Sequence, residues 1–212
     1  MILGIIAIGV RLSLKWDPVL NFVRHTLQTQ IQNTLPAKAE FTIGKLSGDL
    51  AGSISLQRLS LHYDNTPIAS LNSLSATYSL WDQLKGPYSV NSLALDQPAV
   101  TLDSMKSGKL HWIKLYESIA DSTLQSAASS TPSFELTIDQ WALRNGQINI
   151  NALPAIPLAG LKLPFSVTEL NLEGRQFSYG PQPGGTLDNL EFRLRSEQAP
   201  GALAVAADSA LF

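Results

Sequence analysis

Residues 48–61 read Gly48-Asp49-Leu50-Ala51-Gly52-Ser53-Ile54-Ser55-Leu56-Gln57-Arg58-Leu59-Ser60-Leu61. Two glycines break the chain, and an alternating strand follows. Ile54 and Leu56 share one face, and Ser53, Ser55 and Gln57 share the other. The phase then slips by one residue, and Leu59, Leu61 and Tyr63 carry the apolar face onward. At about 100° per residue these positions scatter around a helix. A bulged strand keeps them on one face, because one extra residue restores the side-chain phase.

The spacing apolar-x-apolar-x-x-apolar-x-apolar returns along the chain. Ala69-x-Leu71-x-x-Leu74-x-Ala76 repeats it, and so do Tyr88-x-Val90-x-x-Leu93-x-Leu95 and Leu136-x-Ile138-x-x-Trp141-x-Leu143. Phe165-x-Val167-x-x-Leu170-x-Leu172 is a further copy, and Leu187-x-x-Leu190-x-Phe192-x-Leu194 is a shortened one. Phe41-Thr42-Ile43 reads as a first short strand, and residues 203–207 with Leu211 as a last one. Turns are expected at Asp64-Asn65-Thr66-Pro67, at Arg144-Asn145-Gly146-Gln147 as a hairpin, and at residues 180–185. Trp81 to Pro87 reads as one helical turn, Pro98 as an edge or bulge, and Pro154 to Gly160 as a loop.

Two helices interrupt the strands. Asp17-Pro18 is a helix start signal, with Asp17 as N-cap. Leu20, Val23, Leu27 and Ile31 recur at helical steps, Arg24, His25, Gln28 and Gln32 occupy other faces, and Pro36 closes the segment. This helix is placed either along a membrane surface or against the end of a sheet. Leu110, Ile113, Tyr116 and Ile119 form a second stripe, followed by a Ser/Ala-rich tether at residues 126–133. Such a tethered helix suits covering an apolar face. Met1 to Val10 is an almost unbroken apolar run, about 15 Å long as a helix and half of what a bilayer core requires.

The expected fold is therefore mainly β: a curved antiparallel β-sheet gutter, taco-like, with an N-terminal helix and one short inserted helix. The expected organisation is a partial signal anchor at residues 1–15, an amphipathic helix at 16–36 and a first groove unit at 37–103. A helix-and-linker insertion at 104–133 and a continued groove at 134–212, broken off from a longer chain, complete it. The expected lining is Ile54, Leu56, Leu59, Leu61, Leu71, Leu74, Val90, Leu93, Leu95, Ile138, Trp141, Val167, Leu170 and Leu172. The opposite face is mostly Ser, Thr, Asn and Gln.

Composition narrows the function classes. Charged residues are 15% of the 212 and the net charge is -2, which argues against a nucleic-acid binder, since that would need a basic face. The hydrophobic share of 44% argues against disorder. Cysteine is absent. His25, His62 and His111 lie far apart, without metal-site spacing, so neither metal nor cofactor is expected. No Gly-x-Ser-x-Gly elbow, phosphate loop or dinucleotide fingerprint is present, Asp49, Asp82 and Glu117 carry no catalytic pattern, and no enzyme is expected. Of the tryptophans, Trp16 is assigned to a membrane surface and Trp141 to the core.

The order of apolar run, amphipathic helix, strand, Gly48-x-Leu50-x-Gly52, residues 53–61, residues 68–81 and residues 90–102 resembles the N-terminal end of the TamB family. That family is the translocation and assembly module subunit of the AsmA-like group. The resemblance is closest over residues 1 to about 103. It implies a single-pass inner-membrane anchor in a diderm bacterium, with a periplasmic body carrying phospholipid between inner and outer membranes. It also implies a possible outer-membrane assembly barrel as partner, and no catalytic residues. Phospholipid acyl chains would lie on the apolar lining. The competing expectations are an assembly scaffold for outer-membrane proteins that pairs a sheet edge with client strands, and a secreted structural β-domain.

Overall fold

The computed structural model describes residues 16–80, 88–104, 110–124, 135–151, 164–180, 183–196 and 199–211. The expected helical turn at 81–87, the tether at 126–133, the Pro154–Gly160 loop and the apolar run at 1–10 lie outside these residues. Eight strands follow the chain in order as one sheet. They are β1 (Ala39–Asp49), β2 (Ser53–Tyr63), β3 (Thr66–Thr77) and β4 (Tyr88–Leu102), then β5 (Leu136–Ile150), β6 (Phe165–Tyr179), β7 (Gly184–Ser196) and β8 (Ala199–Leu211). Each pairs with the next, and β1 and β8 are edges, so the sheet is open.

All neighbours are antiparallel except β4 and β5, which run parallel. This corrects the all-antiparallel expectation. The segment between Leu102 and Leu136 is long enough to carry the chain back to its starting end. A parallel pair needs such a crossover, whereas a hairpin needs only a short turn. The hairpin expected at Arg144–Gln147 is also absent. β5 runs unbroken through it, and Asn145, at φ 54°, spends its left-handed conformation on a bulge rather than a reversal.

The phase slips are aligned between strands. Gly44 faces Arg58, Arg58 faces Asn72, and Asn72 faces Gln97, each between regular pairs on either side. Gln97 and Pro98 then face Asn145 and Gly146, and the Asn145 backbone N–H donates to Asn171 Oδ1 at 2.9 Å. Arg58, Gln97, Asn145 and Glu169 all have φ between 51° and 54°. The slips form one transverse crease from β1 to β6. A second crease crosses the longer strands at Asn91, Asp139 and Gln176. Bulges bend strands, and bends at one level in successive strands fold the sheet along the crease. The trough so formed runs across the strands, from β1 towards β8.

Among the described residues, two helices flank the sheet. α1 (Asp17–Thr34) lies along β1, with Trp16 rather than Asp17 at the N-cap position and Asp17 in the first turn. α2 (His111–Leu124) sits within the β4–β5 crossover. Its Leu115 joins Ala39, Tyr63 and Ile68 in a buried cluster, with Leu35, Leu61, Trp112 and Ile119 packed around it. Trp112 donates its indole N–H to the Thr101 carbonyl at 3.1 Å. His111 places both its backbone N–H and its Nδ1 3.1 Å from the Asp103 carbonyl, which requires the Nδ1–H tautomer. The expected cover is thus in place, at the end of the sheet where β2 turns into β3.

The opening glycine stretch makes the β1–β2 turn. Asp49 Oδ1 accepts from the Ala51 N–H at 3.0 Å, and the Asp49 carbonyl accepts from Gly52 at 2.9 Å. Tyr78, directly after β3, locks this turn by donating its hydroxyl to the Leu50 carbonyl at 2.6 Å. Burial, and then the nearby Asp49 carboxylate, raises the Tyr78 phenol above its ordinary 10.0. The unfolded chain therefore loses this proton first as the solution becomes alkaline. The stability that Tyr78 contributes is complete below pH 10.0 and falls as pH rises through the folded value. Tyr78→Phe is expected to lower stability by about 1 kcal/mol at neutral pH and to flatten the alkaline decline. Urea unfolding across that range measures both.

Candidate apolar groove

The register lines up the repeat slots into rungs across the sheet. One rung is Ile54, Ala76, Leu93, Trp141, Gly174 and Leu187. The next is Leu46, Leu56, Leu74, Leu95, Leu143, Leu172 and Leu190. Beyond the crease come Ile43, Leu59 and Leu71, and then Phe41, Leu61, Ala69, Val100, Ile148, Val167 and Leu194. Val90, Ile138 and Phe177 close one margin, and Leu170 faces Gly146. All fourteen expected lining residues fall on these rungs, and no rung carries a charge.

Burial distinguishes this face from a core. Ile138 is buried, but the other thirteen are only half-buried. In a closed sandwich such leucines would be among the most buried residues. Among the described residues cover is local: Ile43 and Leu46 are buried on β1, the strand α1 lies along, and α2 covers the Tyr63–Ile68 end. Seven strands at about 4.8 Å spacing give rungs roughly 29 Å long, about twice the ~15 Å of one leaflet's hydrocarbon.

Trp141 forms part of the floor. It pairs with Gly174, and a Cβ on that glycine would lie 2.5 Å from Trp141 Cε2. The indole lies over the glycine and fills the gap that its missing side chain leaves in the rung. The indole N–H is buried without a hydrogen-bond partner among the described residues, whereas a buried indole usually finds one.

The reverse face is polar. Thr42 and Ser60 hydroxyls lie 2.7 Å apart, as do those of Thr77 and Ser92, and Asn72 donates to Asp96 at 3.2 Å. Arg175 grips Asp188 with bonds of 2.8, 2.9 and 3.1 Å, which holds its guanidinium protonated to higher pH than usual. Arg193 and Arg195 converge on Glu169 at 3.1 and 3.5 Å. Two shallow depressions of about 420 Å³ occur, one along Thr101, Asn149, Ser166 and Arg195, the other around Ala94, Ala142 and Glu173. Those residues pair along polar rungs, and the second depression also touches Leu93, Trp141 and Gly174 of the first apolar rung.

Sequence patterning read Phe41 and Ile43 as a short strand but left them, with Leu46, out of the lining. β1 carries the same spacing, Phe41-x-Ile43-x-x-Leu46, but Gly44 and Gly48 hide it. His25, His62 and His111 sit on α1, β2 and α2, and no group of three or more metal-ligating side chains occurs among the described residues. Asp49 serves the β1–β2 turn, Glu117 pairs with Lys114 at 3.1 Å, and Asp82 lies outside the described residues. Trp16 is 63% exposed at the start of α1. No described helix is long and apolar enough to cross a membrane.

Together these features define a class: an open, single-sheet β-trough with an apolar inner face and a helix along one edge. Against known proteins, the chain matches no family model, no curated protein and no solved structure.

Proposed function

We propose that this protein carries phospholipid along its trough, acyl chains on the rungs and headgroup in water, between the inner and outer membranes of a diderm bacterium. In this reading it is a TamB-like, AsmA-like protein anchored in the inner membrane through its N-terminal apolar run, with its body in the periplasm. The observation that carries the reading is the set of uncharged rungs left half-covered across β1 to β7. Large apolar faces left open in a folded chain mark a partner. Each methylene buried on such a face contributes about 0.8 kcal/mol, so a continuous lining offsets the loss of the bilayer step by step. Apolar contacts are non-directional, which lets a tail slide. Mass spectrometry of the gently purified protein is expected to find co-purified phospholipid; protein free of lipid counts against the reading.

A second reading is an assembly scaffold that works with an outer-membrane barrel and pairs client strands with a sheet edge. The observation favouring it is the open, single-sheet order in which each strand pairs only with its chain neighbours, an arrangement that grows by strand addition. Crosslinks from strand-edge positions to protein, with none from the rungs to lipid, are the outcome that selects it.

A further inference from the structure

The outer side of β1 should be the other open edge, and it is occupied by side chains of α1. Gln32 donates its Nε2 to the Ala39 carbonyl at 2.6 Å and accepts the Phe41 N–H on its Oε1 at 2.9 Å. A residue of a parallel strand opposite Glu40 would make this same exchange with the carbonyl before and the N–H after. Gln28 Oε1 accepts the Ile43 N–H at 3.3 Å, and Arg24 Nη1 donates to the Ile43 carbonyl at 2.9 Å. The spacing is physically matched. Four helical residues rise about 6 Å, and two strand residues rise about 6.7 Å, so side chains at 24, 28 and 32 stay in step with alternate residues of β1. Past Ile43, the crease at Gly44 and the exposed Lys45 blunt the remaining edge.

We infer that α1 is an edge seal, in which Arg24, Gln28 and Gln32 replace a ninth strand and keep β1 from pairing with a second copy of this chain. A sheet of eight strands with a bare first edge would template such pairing. The seal leaves β8 as the side on which the described sheet is open to strand addition.

The test uses the full chain with Gln28→Ala and Gln32→Ala, and separately the milder Gln32→Asn, which keeps the amide but is one methylene too short. Hydrogen exchange at Phe41 and Ile43 is expected to speed up by about tenfold or more, the factor that one ordinary hydrogen bond represents, while amides of β3 are unchanged and report an intact sheet. The chain has no cysteine, so Glu40→Cys is a unique probe of β1. Oxidation is expected to give disulfide-linked dimer in the double variant and little in the chain with Gln28 and Gln32 intact. Unchanged exchange at Phe41 in Gln32→Asn overturns the ladder. Freed amides without Glu40→Cys dimer overturn the sealing role.

Discussion

Replacing Leu93 with glutamate is expected to strip phospholipid from the purified protein while the sheet stays folded. Leu93 sits between Ala76 and Trp141 on an uncharged rung and is half-buried. In the empty trough a carboxylate at this position keeps contact with water, so folding tolerates it. Beneath an acyl chain it loses that water without gaining a hydrogen bond, which costs several kcal/mol. Occupancy should drop by about 100-fold or more, since each 1.4 kcal/mol is roughly a factor of ten. The matched control is Ala94→Glu. Ala94 pairs with Ser75 and Ala142 on the reverse face, and lipid content there should be unchanged. Equal loss in both variants, or loss in neither, speaks against the rungs as the lipid path.

The largest effect on stability is expected at Gly174. An added methyl would meet the Thr186 carbonyl and press into the six-membered ring of Trp141. Both neighbours are held, one as sheet backbone and one within its rung, so neither can yield cheaply. Overpacking of this kind costs about 3 kcal/mol, and for a chain of this size that lowers Tm by about 6 to 12 °C. Gly52→Ala is the comparison, because its nearest neighbour would be the Tyr78 carbonyl at 3.5 Å, an ordinary contact. A thermal melt showing Gly174→Ala no worse than Gly52→Ala would remove Trp141 from the trough floor.

The trough was legible in the sequence because a phase slip in an alternating strand has one economical explanation. Leu56-x-x-Leu59 reads as a bulge, and Arg58 is found there with φ 54°. Repetition of that spacing placed the slots of different strands in register, since a shift by one would turn every leucine outward. The parallel β4–β5 pair was hidden, because patterning within a strand says nothing about its direction. Arg144 to Gln147 misled for a chemical reason. Asn-Gly favours left-handed backbone, which serves a hairpin turn and a bulge equally, and here Gly146 also lies where a Cβ would come within 2.7 Å of Leu143 Cδ2. The α1 ladder was hidden too. Helical periodicity reports where apolar side chains go, while Arg24, Gln28 and Gln32 are placed by backbone groups of a strand that only the fold brings alongside.

The central claim is that lipid lies on the rungs. Its most direct test is photo-crosslinking in living cells, with the probe placed in turn at Leu56, Leu74, Leu95 and Leu172 along one rung and at Ser55, Ser75, Ala94 and Glu173 along the neighbouring polar rung. Phospholipid adducts are expected at the first four positions and none at the second four. Adducts on both faces alike, or protein adducts alone, would contradict it.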